Sequence, residues 1–244
     1  MTRGCFRGCE FCVNRNKTRV EFHAHLKEFL DPTLKGISLL DDNILGYPRW
    51  REVFDELIAS NKPFEFKQGM DIRLLTKEKA KVISSCRYHG NYIFAFDNIE
   101  DKELIIRKLQ IWREIVEPRT RTVLYVLCGF DKTGKYNDVF WRQDLINMWE
   151  KIKILMTYGC APYIMRFNKC EGPDKEFYSL VRGWCNTVHN FIGKSFREYC
   201  EHPAKDANVN YMPRFREIEK KYPEIAKKYF DLKFEREVID RGWW

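Results

Sequence analysis

The 244-residue chain reads as an α/β fold, with parallel strands joined by helices and a helical carboxyl-terminal extension. Two observations predict it. Short runs rich in β-branched and aromatic residues recur at roughly the ~30-residue spacing of a βα unit. Between them, apolar residues repeat every 3.6 positions, the period of a helix with one buried face.

The strand runs are Gly36–Leu40, Pro63–Phe66, Tyr92–Phe96, Thr122–Cys128 and Pro162–Phe167. After the first, Trp50, Val53, Phe54, Leu57 and Ile58 share one helical face. After the second, Thr76 is placed to cap a helix that follows Leu74-Leu75, because its hydroxyl accepts from an orphan amide of the first turn. After the third, the stripe is Ile105, Leu109, Trp112, Ile115 and Val116. After the fourth it is Leu145, Met148, Trp149, Ile152, Leu155 and Met156. From Glu171 the strand runs stop, so the expected division is a core of residues 1–170 and an extension, or lid, of 171–244. The extension reads as short helices broken by Pro203, Pro213 and Pro223. Its Trp184, His189, Phe191, Phe196 and Tyr199 either pack as a core or form a stacking platform for a base.

Composition narrows the classes. No run approaches the ~18 apolar residues of a membrane span, so a membrane protein is not expected. The nine cysteines are odd in number and mostly scattered, which disfavours a disulfide framework and suits a reducing, cytoplasmic setting. The net charge of +8 is compatible with a nucleic-acid partner, but part of the excess sits at Arg3, Arg7, Arg15, Lys17 and Arg19. Those cations surround the one cysteine cluster, where they would offset the charge of bound thiolates.

Polar residues follow each strand run. Asp41, Asp42 and Asn43 come after the first, Gln68, Asp71 and Arg73 after the second, and Asp97 after the third; Asp131 follows the fourth, while Arg166 and Asn168 mark the last. At the carboxyl ends of parallel strands such residues converge on one mouth, where barrels of this kind do chemistry. Each is also a residue that turns and caps favour.

Cys5, Cys9 and Cys12 stand in a C-x3-C-x2-C spacing. Three thiolates admit a zinc site completed by His23 or His25, a set of unliganded thiols, or a [4Fe-4S] cluster with one iron left open. Only Met1 to Gly4 precede Cys5, too few residues for a full first strand.

These cysteines, with Phe11 before the last and Arg3-Gly4 before the first, resemble the motif of the radical S-adenosylmethionine superfamily. The stretches Leu39–Asn43, Phe66–Arg73 and Phe94–Asp97 resemble a branch of it for which no substrate is implied. The resemblance implies a partial (β/α)6 TIM-like barrel over residues 1–170 and a [4Fe-4S] cluster held by Cys5, Cys9 and Cys12. It implies S-adenosyl-L-methionine on the fourth iron, with Phe11 against the adenine. Asp42 and Asn43 occupy the position of the loop that holds the methionine amino group, although this chain lacks the glycine pair found there in relatives. Asp97 would meet the ribose and Arg73 or Arg166 the carboxylate, with Gln68 and Asp71 at the same mouth. The implied activity is reductive cleavage to a 5′-deoxyadenosyl radical that abstracts hydrogen from RNA, a peptide or a small molecule. The electron would come from a flavodoxin- or ferredoxin-like donor. The rival reading is a nucleic-acid-binding module in which zinc or a cluster only shapes the basic loop.

Overall fold

A computed structural model describes residues 1–117, 122–202 and 210–234. Pro203 therefore lies outside the described residues. The chain divides into two compact units, one of Met1–Phe96 with Glu100–Leu124, the other of Asp97–Ile99 with Tyr125 onward. The division falls inside a strand that the sequence marks clearly.

The first unit opens with β1 (Thr2–Arg3), which pairs antiparallel with β2 (Glu21–Phe22), Thr2 opposite Phe22 and Arg3 opposite Glu21. This ladder closes the base of the cysteine loop. β3 (Ile37–Leu39) and β4 (Phe64–Phe66) pair in parallel, with Ile37 opposite Phe64 and Leu39 opposite Phe66. Parallel bridges join Phe64 to Tyr88 and Met70 to Phe94, the latter within β5 (Tyr92–Ala95).

A parallel pair needs a crossover, and α1 (Trp50–Ala59) supplies it. Its Val53, Phe54 and Leu57 are buried, with the Phe54 ring against those of Phe64 and Phe66. Burial of a side chain such as Phe54 contributes about 1.5–3 kcal/mol. Thr76 caps α2 (Lys77–Ser85) as its position predicts, accepting from the Lys79 amide at 3.2 Å. On α3 (Lys102–Ile115), Trp112 meets the Tyr92 and Phe94 rings and donates its indole N–H to Thr122 Oγ1 at 3.0 Å.

β6 (Thr122–Cys128) has residues in both units, and β7 (Ala161–Arg166) lies in the second. The fold is thus mixed α/β with parallel strands, and among the described residues the strands do not close into a barrel.

In the second unit α4 (Asp138–Thr157) buries Leu145, Met148, Trp149 and Ile152. Helices α5 (Lys175–Cys185), α6 (Val188–Gly193), α7 (Phe196–Glu201), α8 (Met212–Lys221) and α9 (Pro223–Tyr229) follow. Pro213 and Pro223 open α8 and α9 where breaks were expected, because a first-turn residue needs no amide donor and proline's fixed φ suits it. Trp184, Phe191, Phe196 and Tyr199 are buried, so they serve a core and leave no stacking platform; His189 is exposed. Trp149 is the hub, stacked on Tyr229 at 5.7 Å and tilted against Trp184 and Phe230. No helix among the described residues is long and apolar enough to cross a membrane.

Candidate functional site

The cysteine segment is a loop bent by its own backbone. Gly4 and Gly8 hold φ of +93° and +60°, and a Cβ on Gly4 would collide with the Arg19 carbonyl. The Cys12 amide donates to the Cys9 carbonyl at 2.9 Å, a turn that brings those two residues close. All three thiols are partly exposed, and no disulfide joins any of the nine cysteines. Cys12 Sγ accepts from the Asn14 amide and Cys5 Sγ from Asn43 Nδ2, both at 3.4 Å.

The residues after β3 hold this loop. Asp41, buried, accepts from the Thr2 amide and from the Thr2 hydroxyl at 2.6 Å. Asp42 accepts from the Gly4 amide at 2.7 Å and from Asn14 Nδ2 at 2.7 Å, so one carboxylate fastens the chain on both sides of the three cysteines. Asn43 is buried beside Cys5.

A second attachment comes from the residues after β4. Arg7, between Cys5 and Cys9, donates Nε to Asp71 Oδ2 at 2.6 Å. Arg73 donates to Asp71 at 2.8 Å and to Asp101 at 2.8 Å. Burial works against ionisation of Asp71, but Arg73 and Arg7 outweigh it and hold the carboxyl below its ordinary value. Burial likewise disfavours the Arg73 charge, and the two carboxylates overcome it, so the guanidinium is held cationic.

The remaining expected residues are placed as follows. Phe11 is half-buried in the loop, and Gln68 is exposed after β4. Asp97 and Arg166 belong to the second unit. There the Asp97 carbonyl accepts from the buried Lys151 ammonium at 2.8 Å, and Arg166 Nη1 donates to Ser179 Oγ at 2.6 Å. The first unit therefore brings together Cys5, Cys9, Cys12, Asp42, Asn43, Asp71 and Arg73 through loop, turn and ion pair. Asn14 and Asp101 were not anticipated; both act through contacts distant in sequence that no local pattern announces.

Among the described residues, no group of three or more His, Cys, Asp or Glu is gathered in the manner of ligands to one ion. A cubane spreads its thiolates over separate irons, so its fit rests on the donor set. That set is chemically suited: three soft sulfur donors on one loop, amide N–H groups on two of them, and cationic Arg7 beside them. His25, a candidate fourth zinc ligand, has its Nδ1 against Glu56 Oε1 at 2.7 Å.

No protein-family model, curated protein or solved structure matches the chain.

Proposed function

We propose that the protein is a radical S-adenosylmethionine enzyme in which Cys5, Cys9 and Cys12 hold a [4Fe-4S] cluster. Its parallel strands would belong to a partial TIM-like barrel. The observation that carries the reading is the double fastening of the cysteine loop to the residues after two paired parallel strands, by Asp42 after β3 and by Asp71 after β4. Polar loops at the carboxyl ends of parallel strands are where such folds carry out reactions.

When bound, the cluster with S-adenosyl-L-methionine supplies reductive cleavage of a carbon–sulfur bond and a radical able to abstract hydrogen. The chain's own residues do the positioning. Asp42 fixes the two ends of the ligand loop, and Arg7 holds its middle while offsetting thiolate charge. Phe11, half-buried beside Cys12, offers an aromatic face for the adenine. Arg73 is already engaged by Asp71 and Asp101, so its role is to brace Asp71.

Anaerobic reconstitution with iron and sulfide tests the proposal. The protein should take up about four irons per chain, turn brown, and after reduction release 5′-deoxyadenosine and methionine from S-adenosylmethionine. A colourless protein that retains zinc and binds nucleic acid without that cleavage would refute it.

A further inference from the structure

The Asn43 side chain does something that its place in the chain does not require. It stands immediately before a 3-10 helix, Ile44–Gly46, where an asparagine ordinarily accepts from the first-turn amides, yet it makes no such bond. Asp71 and Thr76, in the same position before the helices that follow them, both do. Asn43 instead turns its amide nitrogen to Cys5 Sγ at 3.4 Å.

Its other end is unmatched. Asn43 is 2% exposed, and Oδ1 has no hydrogen-bond partner. Buried amides held for structural reasons are normally paired at both ends, since an unmatched acceptor is costly. The group is also boxed in: a Cβ added to Gly46 would lie 3.3 Å from Asn43 Cγ and 2.7 Å from the Phe6 ring. Oδ1 and Nδ2 share one carbon, so the unmatched atom also sits beside Cys5.

Resting on the cluster assignment above, we infer that Asn43 is a positioning residue that sets the reduction potential of the cluster through its N–H on the Cys5 sulfur. An N–H donor withdraws charge from a ligating sulfur and favours the more electron-rich, reduced state. The one-electron couple of the cluster is therefore held at a higher potential than three unassisted thiolates would give.

The test is an EPR-monitored redox titration of anaerobically reconstituted protein, with dithionite as reductant and no S-adenosylmethionine present. Asn43→Leu removes the donor and keeps the bulk. Its midpoint should fall by about 59 mV, a tenfold change in the one-electron equilibrium. Asn43→Asp keeps the shape but replaces the donor with an anion, and its midpoint should fall further. A merely structural role would change loading but not that order of potentials.

A second measurement needs no variant. Wild-type protein carrying 15N-labelled asparagine should show a weak nitrogen coupling to the reduced cluster in pulsed EPR. Equal midpoints in cluster-bearing wild type and variants, or absence of that coupling, would overturn this inference and leave the cluster assignment standing. Wild-type protein that takes up no cluster would overturn the assignment and the inference with it.

Discussion

Arg7 Nε donates to Asp71 Oδ2 at 2.6 Å across 64 positions of sequence, joining the centre of the cysteine loop to the turn after β4. Asp71 is 8% exposed and shares its other oxygen with Arg73. Two cations thus converge on one buried carboxylate, and the loop is held by a charge that cannot be removed without stranding its partners.

Asp71→Asn should therefore cost about 2 kcal/mol at neutral pH, discounted because Arg7 is partly exposed. The folded carboxyl titrates below the ordinary value of 3.8, so its stabilisation is complete above that pH and is lost as the pH falls toward the folded value. The gap between wild type and Asp71→Asn in urea denaturation should narrow below about pH 4. A gap that stayed constant there would show that the ion pair is not its source.

Cys9→Ala should abolish cluster assembly and leave the fold intact. Cys9 lies in a partly exposed loop closed by its own turn, away from the helices that dominate the circular dichroism. The measurements are iron per chain after reconstitution and the far-ultraviolet spectrum. Wild-type iron content in this variant would remove Cys9 from the ligand set.

Asp42→Ala should loosen the loop at both ends, because one carboxylate holds Gly4 and Asn14. The exposed Arg15 and Lys17 then become better trypsin sites. Loss of about 1.4 kcal/mol of local stability corresponds to roughly tenfold faster cleavage when opening is rapid. Timed digestion of native protein reads this directly, and unchanged cleavage would deny Asp42 its fastening role.

What the sequence made legible was decided by local chemistry. The run Thr122–Cys128 is a strand over its whole length, and Thr76 caps α2, because a continuous apolar run and a hydroxyl before a helix need no distant partner. Pro213 and Pro223 mark the short helices that their positions predict, each standing in the first turn of the helix that follows the break. The polar residues after the strands were legible as a set but not in their employment. Asp42 binds backbone and Asn14, whereas Asn43 turns to a sulfur, and nothing in two adjacent polar residues distinguishes those tasks. The burial of Trp184 and Phe196 depended on helices packed around them from α4 to α9, beyond the reach of any local pattern.

Gly129, just after β6, has φ of +74°, and a Cβ there would run into Cys170 Sγ. Cys170 is itself fixed at the end of three consecutive non-glycine residues with positive φ: Asn168, Lys169 and Cys170 at 42°, 60° and 51°. The Gly129 amide donates to Asp144 Oδ2 at 2.8 Å, and the Tyr178 hydroxyl donates to the same oxygen at 2.6 Å, so the Gly129 backbone cannot retreat freely. Gly129→Ala should cost about 3 kcal/mol, from the left-handed backbone together with overpacking. Cys170→Ala alone should cost about 1–2 kcal/mol through the space it leaves. Combined, the two should cost less than their sum, because the smaller side chain makes room for the new methyl group. Urea denaturation of the three variants measures the coupling, and strictly additive losses would place the cost of Gly129→Ala in its backbone conformation alone.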